Sequence, residues 1–254
     1  MKNLKERIKA GEAVHGCWIN LGSPVSAEII GQAGFDWVLI DLEHGAGNDE
    51  TMLMQLQALS ATSTTPIVRT DEAARSKVQR ILDAGAAGIM FPQLLDGNDV
   101  ATAVDLLYYP PRGTRGMARL VRATTFGNSI HEYAASLDNT IVGVIQIETL
   151  SSLKHLDAIA ANPNVDVLFV GPSDLSLALG IFGQIDHPVF QQALKDVALA
   201  AKKHGKAAGI LLIDISEYKM YYDLGYRFIA CGADGSFVAK GAKEMVKSLK
   251  GQLK

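Results

Sequence analysis

Two carboxylates and an imidazole follow an apolar run in Val38-Leu39-Ile40-Asp41-Leu42-Glu43-His44-Gly45. An apolar run that breaks into charge at its C-terminal end is how a strand of a parallel α/β protein delivers reactive groups to a site. Other runs end the same way. Arg69 closes Pro66–Arg69, Gln93 follows Pro92, and Gln146 and Glu148 end the run that starts at Ile141. Gly171-Pro172-Ser173-Asp174 follows Val165–Val170, and Asp214 and Asp234 follow the last two runs. Gln146 and Glu148 are two residues apart, so they share a strand face, with Val142 and Val144 below them. An inward Gln-x-Glu above an apolar layer is costly unless something uses it. Asp41 and Glu43 share a face by the same count.

The residue types narrow the chemistry. No strand end carries a lysine, which disfavours a Schiff-base mechanism. There is no G-x-S-x-G motif, and no Cys/His cluster that would hold zinc. Carboxylates, a histidine and an arginine remain. Glu148 and Asp174 supply two hard oxygen ligands. With water in the other positions they suit Mg²⁺ or Mn²⁺, with Co²⁺ a further choice, and leave room for a chelating 2-oxo acid. Such an ion polarises the carbonyl and stabilises an enolate. Arg69 is placed to donate to that oxyanion. His44 suits proton transfer, and the backbone from Gly171 through Pro172 and Ser173 to Asp174 offers N–H groups to a carboxylate.

Each residue also has a purely structural reading. Asp174 or Ser173 could be a helix N-cap. Arg69 could form an ion pair with Asp41 or Glu43 at the strand ends, and His44 could be a solvated loop residue. Asp214 and Asp234 read better as turn residues than as ligands. The remaining histidines have no comparable context.

The elements that must position these groups alternate regularly. Eight apolar runs read as strands: His15–Leu21, Trp37–Leu42, Pro66–Arg69, Gly88–Pro92, Ile141–Ile147, Val165–Val170, Ala207–Ile213 and Arg227–Cys231. Helical patterns at 24–33, 49–60, 76–84, 98–107, 152–160, 188–204 and 216–224 lie between most of them. A short helix over 3–10 precedes them and one over 236–253 closes the chain. Eight β-then-α units in 254 residues favour one closed (β/α)8 TIM barrel spanning 1–254 over an open sheet. No G-x-G-x-x-G follows the first strand, which removes the usual reason to expect a dinucleotide fold. Tyr108–Asn139 departs from the alternation. It carries Arg112, Arg115, Arg119 and Arg122 and reads as loop-rich, and for any one arginine a solvated ion pair is the better expectation.

Composition is that of a globular chain, with 48% apolar and 20% charged residues. The net charge of −3 and the lack of a basic tail argue against nucleic acid or an anionic membrane as partner. The charged first ten residues do not read as a signal peptide. No apolar run approaches the roughly 18 residues of a membrane span. Cys17 and Cys231 lie in predicted strands that would meet across a barrel seam. Buried free thiols in a reducing cytoplasm are favoured over a disulfide.

Several motifs together resemble the HpcH/HpaI aldolase family of metal-dependent class II pyruvate aldolases. They are Trp18-Ile19-Asn20, Ala33-Gly34-Phe35-Asp36-Trp37, Ile40-Asp41-Leu42-Glu43-His44, Pro66-Ile67-Val68-Arg69, the stretch from Tyr109 to Gly116, Ile145-Gln146-Ile147-Glu148-Thr149, and Val170-Gly171-Pro172-Ser173-Asp174-Leu175. The likeness runs from about residue 3 to the C-terminus, in order. It implies Glu148 and Asp174 as metal ligands, Arg69 at the keto or enolate oxygen, His44 as acid/base through a metal-bound water, and Gln146 beside the metal. It also implies that Gly171–Asp174 binds the pyruvate carboxylate, and that Asp83 orients the histidine of a neighbouring subunit. Asp83 could not be picked without the resemblance. The resemblance further implies a terminal helix packed on a partner barrel, with dimers assembled into a hexamer as a trimer of dimers. Phe237, Val238, Met245, Val246 and Leu249 are compatible with that. Leu42 and Gly45 flank the Glu-His pair where well-known members carry Gly and Ala, and the segment after Arg115 varies in the family. Both lie near where the aldehyde half would sit.

The expected reaction is reversible retro-aldol cleavage of a 4-hydroxy-2-oxo acid to pyruvate and an aldehyde, such as succinic semialdehyde. A sugar-acid substrate would instead release tartronate semialdehyde or lactaldehyde. Arg122 or Arg119 is the candidate for a distal carboxylate. A Claisen-type lyase of citrate or CoA thioesters is the alternative reaction, although no basic site for an adenine phosphate is evident. A barrel that binds an oxo acid without turnover is the alternative from another class. It would not need His44.

Overall fold

The computed structural model describes residues 3–252. Eight parallel strands close into a barrel in sequence order: β1 (Val14–Ile19), β2 (Trp37–Asp41), β3 (Thr65–Arg69), β4 (Gly88–Phe91), β5 (Val142–Ile147), β6 (Val167–Val170), β7 (Ala207–Leu212) and β8 (Tyr226–Ala233), with β8 pairing back on β1. The helices are α1 (Leu4–Lys9), α2 (Pro24–Gln32), α3 (Asp49–Leu59), α4 (Arg75–Asp83), α5 (Gly97–Asp105), α6 (Ile130–Thr140), α7 (Leu150–Lys154), α8 (Leu156–Ala161), α9 (Pro172–Ala178), α10 (Pro188–Lys203), α11 (Tyr218–Leu224) and α12 (Asp234–Gly251). This is the (β/α)8 barrel expected from the alternation. Among the described residues, no helix is long and apolar enough to cross a membrane.

Strand parity builds the two cores. Trp18, Trp37, Leu39, Ile67, Val142, Val144, Phe169 and Phe228 fill the barrel interior, with Trp37 stacked on Phe228 at 3.9 Å between ring centroids. Their sequence neighbours Cys17, Ile19, Val38, Ile40, Val68, Ile145, Ile147 and Leu168 face outward onto the helices. Gly16 is required by this packing, since a Cβ there would lie 2.2 Å from the Trp37 ring. α1 closes the end where the strands begin. Its Leu4 and Ile8 join the inner core, and the buried Lys5 ammonium meets the Tyr108 hydroxyl at 3.0 Å, the Ile141 carbonyl at 2.6 Å and Asp166 at 3.0 Å. A buried cation is tolerated there because every donor has a partner.

Two local expectations need correction. The 152–160 pattern is two short helices, because His155 leaves the helical region (φ −105°, ψ 18°) between α7 and α8. Tyr108–Asn139 holds more structure than its Gly and Pro content suggests: a 3₁₀ segment at Arg122–Gly127, and α6. α9 starts directly after Gly171. Cys17 and Cys231 are free thiols on paired strands. Burial pushes the Cys17 thiol up to about 12.

The closing helix meets the barrel only at its start, against β1, β8 and α2. Only Asp234 of α12 is buried, while Phe237, Val238, Met245, Val246 and Leu249 are exposed. Leu253, the end expected for this helix, lies outside the described residues.

Candidate active site

The C-terminal end of β2 is folded by one carboxylate. Asp41 Oδ1 accepts the backbone N–H groups of Glu43 and His44 at 3.0 and 3.2 Å, which turns the chain sharply after the strand. Gly45 follows because a Cβ there would meet the Asp41 carbonyl oxygen at 2.1 Å. Strand register sets Asp41 opposite Arg69 of β3. Arg69 Nε donates to Asp41 Oδ1 at 3.0 Å and Nη2 to Oδ2 at 2.6 Å. Arg69 Nη1 lies 2.9 Å from Glu43 Oε2 and 3.5 Å from Gln146 Oε1. The ion pair that was the structural alternative for Arg69 is therefore present with both carboxylates. It fixes a buried guanidinium at the cleft, and burial alone would work against its charge.

β5 supplies the second group. Gln146 and Glu148 are each 2% exposed, above the apolar interior. The Glu148 carboxylate is held at both oxygens: Oε1 accepts the Gln93 N–H at 2.8 Å and Oε2 accepts the Gln146 amide at 2.8 Å. A Cβ on Gly171 would stand 2.8 Å from Glu148 Oε2 and 3.3 Å from the Gln146 amide nitrogen, so only glycine leaves that space open. Burial, reinforced by the neighbouring Asp174 and Glu43 carboxylates, pushes Glu148 up to about 7, against the pull of the Gln93 N–H and Arg69. Burial also raises Glu43, against Arg69 and His44.

β6 supplies the third. Gly171 caps α9, Pro172 takes its first position, and Asp174 lies in its first turn. No side chain caps this helix, so neither Ser173 nor Asp174 is spent as an N-cap. Arg69, Gln146, Gly171, Pro172, Ser173, Asp174 and His44 line a cleft of ≈ 290 Å³, together with Trp18, Phe169 and Leu211. His44 stands at the rim, its side chain 68% exposed and its Nε2 3.9 Å from Glu43 Oε2. Larger clefts exist, up to ≈ 730 Å³ along α12, but that one is lined by helix side chains alone. The smaller cleft gathers the polar ends of β2, β3, β5 and β6.

The donor set fits a hard divalent cation. Burial penalises the Glu148 charge and the Asp174 carboxylate adds to that cost, which a cation held at Glu148 would remove. Among the described residues, no three His, Cys, Asp or Glu side chains gather into a metal cage. A two-carboxylate set leaves the other positions to water and substrate, the habit of Mg²⁺ and Mn²⁺ sites.

Some expected residues lie elsewhere in the chain. Asp83, at the end of α4, accepts from Arg115 Nη2 at 2.7 Å and does not line the cleft. Arg122 donates to the carbonyls of Ala84 at 2.8 Å and Leu56 at 3.2 Å, so it binds carbonyls of α3 and the α4 terminus rather than a substrate carboxylate in this chain's own cleft. Arg112 is held by Asn164 and Asp138, Arg115 is buried beside Tyr133, and Arg119 is exposed. Asp214 caps a 3₁₀ turn, while Asp234 is not in a turn: it is buried at the start of α12 and accepts from the backbone N–H groups of Asn20 and Leu21. Sequence reasoning missed Trp18, Phe169 and Leu211. Parity along β1 and β6 could have found the first two, which face inward at the strand ends.

The HpcH/HpaI aldolase/citrate lyase family matches residues 15–241. A hydroxypyruvate/pyruvate aldolase of Paraburkholderia phytofirmans is 37% identical over 253 residues, covering 97% of each chain. A 5-keto-4-deoxy-D-glucarate aldolase of Salmonella paratyphi C is 38% identical over 241 residues, covering 94% of each. The crystal structure of an HpcH/HpaI aldolase/citrate lyase family protein from Burkholderia cenocepacia superposes with a TM-score of 0.92 at 36% identity, covering 97% of this chain and 98% of that one.

Proposed function

The chain belongs to the HpcH/HpaI aldolase/citrate lyase family, and on that premise we propose that it reversibly cleaves a 4-hydroxy-2-oxo acid to pyruvate or hydroxypyruvate and an aldehyde, with a divalent metal ion. An aldolase of this family is a carbon–carbon lyase. The carrying observation is that a guanidinium clamped by two carboxylates shares one cleft with Asp174 and with Gln146, whose amide holds the buried Glu148.

Glu148 and Asp174 would hold the ion, which supplies Lewis acidity at the 2-oxo group. The chain's own groups do the rest. N–H groups in the first turn of α9 have no intrahelical acceptor and face a substrate carboxylate. His44, reachable from solvent at the rim, takes the C4 hydroxyl proton as the C3–C4 bond breaks. The electron pair of that bond moves toward the 2-oxo oxygen, where Arg69 donates to the charge that develops. A proton delivered to C3 completes the ketone. Asp41 and Glu43 act by fixing Arg69, and Gln146 by fixing Glu148.

The 5-keto-4-deoxy-D-glucarate aldolase among the relatives favours a sugar-acid substrate, with tartronate semialdehyde as the aldehyde, over succinic semialdehyde. Arg122 lies outside the chain's own cleft, so any role it has toward a distal carboxylate would be played at a neighbouring subunit. The exposed apolar residues of α12 fit packing on a second copy of the chain, and with it a homo-oligomer. The test is pyruvate release from 5-keto-4-deoxy-D-glucarate and from 4-hydroxy-2-oxoheptanedioate, with Mn²⁺ and with EDTA. Metal-dependent release, faster from the sugar acid and absent in the Glu148→Ala/Asp174→Ala variant, is expected. Release that survives EDTA and the double substitution would overturn the metal assignment.

A further inference from the structure

Gln93 has an uncommon backbone. Its φ is +56°, a left-handed conformation that residues with a Cβ rarely adopt. Glycine would take it freely, and asparagine with less strain than glutamine. The position is a short loop just past the end of β4, between Pro92 and Leu94. Both neighbours are buried, while the Gln93 side chain is exposed. The strain is therefore not explained by packing of the glutamine side chain. What the left-handed backbone achieves is visible in the hydrogen bonds: the Gln93 N–H points at Glu148 Oε1 from 2.8 Å.

That contact completes a box around one carboxylate. Gln146 holds Glu148 Oε2, and Gly171 leaves the space beside that oxygen open. Gln93 holds the other oxygen. Each oxygen thus accepts one donor and keeps lone-pair capacity for a cation. With the Cα atoms of Pro92 and Gln93 held in place, an ordinary φ at Gln93 requires the planar peptide between them to rotate, so the N–H would swing away and Oε1 would lose its fixed donor.

We propose that Gln93 is a positioning residue: its strained backbone, rather than its amide side chain, orients Glu148 for the divalent cation. The inference rests on the metal reading of Glu148 and Asp174. Partners that orient ligating carboxylates typically carry a 10–100-fold share of metal affinity, on the order expected here. Strained residues of this kind gather where the surrounding fold over-determines them and the strain serves the site.

The test measures Mn²⁺ affinity by titration calorimetry on the full-length protein, with thermal unfolding as the check on folding. Gln93→Val keeps the N–H but disfavours positive φ, and should weaken Mn²⁺ binding by about tenfold or more. Gln93→Gly and Gln93→Asn accept the left-handed backbone and should bind as the parent does. Gln93→Ala should fall between, and it carries the comparison with Gln93→Gly if the valine variant does not fold. Equal affinity in Val, Ala and Gly variants would overturn the proposal, because the strain would then serve stability alone. Equal loss in all four would overturn it by assigning the effect to the side chain. Absence of Mn²⁺ binding in the parent protein would remove the metal reading itself, and the proposal with it.

Discussion

Replacing Asp41 by Asn changes one atom type and nothing of the shape. In the better of its two amide orientations, Oδ1 still accepts from Arg69 Nε and from the N–H groups of Glu43 and His44. The amide NH₂ then faces Arg69 Nη2 where Oδ2 accepted at 2.6 Å, so donor meets donor. The lost bond is charge-assisted and buried, which by itself costs about 1.5–3 kcal/mol. Stripping a buried cation of its only partner costs about 3–5 kcal/mol. Here Glu43 remains 2.9 Å away, so the lower part of that scale applies. A loss of about 2–3 kcal/mol in a chain of this length corresponds to a Tm lower by about 4–12 °C. Arg69 would also be free to rotate away from the oxyanion position, and a misplacement of about 1 Å costs roughly 100-fold in kcat. The assay pairs thermal unfolding with metal-dependent aldol turnover. An unchanged Tm together with an unchanged kcat would refute the view that Asp41 is the clamp that sets Arg69.

Three further outcomes are expected. Gly171→Ala places a Cβ 2.8 Å from Glu148 Oε2, and should weaken Mn²⁺ binding with little change in Tm; a large loss of Tm with metal affinity intact would move Gly171 to a folding role. Glu148 is held up at about 7 in the folded, metal-free chain, so the folded state keeps a proton that the unfolded chain has already released. Its contribution to stability is therefore present on the acid side and is lost as pH rises through about 7. Metal-free Tm compared with Glu148→Gln should show that slope in the parent alone, and Mn²⁺ affinity should weaken as pH falls below about 7. Arg69→Ala should lower kcat by about 10²–10³-fold while metal affinity changes little, and equal loss of both would make Arg69 a structural residue.

The barrel was legible because its signal is local. Alternating apolar runs and helical patterns placed each of the eight strands within two residues of its observed ends. Strand parity likewise foretold that Gln146 and Glu148 point the same way, above Val142 and Val144. Register is not local, so the pairing of Arg69 with both Asp41 and Glu43 had to be seen. The left-handed backbone of Gln93 carries no sequence signal, since glutamine is an unfavourable residue for it. Arg122 shows how much a loop residue's partners escape the sequence. An arginine in a loop-rich stretch near the expected aldehyde end looked available, but carbonyls at Leu56 and Ala84 hold it. α6 was hidden because Ile130–Thr140 buries only Leu137, so it offers no run of core residues to read.

The most direct test of the account does not require knowing the aldehyde. Exchange of the pyruvate methyl protons in D₂O, followed by NMR with Mg²⁺ or Mn²⁺ and with EDTA, reports enolate formation alone. Exchange that needs the metal and is lost in Glu148→Ala and Asp174→Ala is expected. Exchange in His44→Ala should be slower. No exchange with either metal, or exchange indifferent to EDTA, would contradict the account.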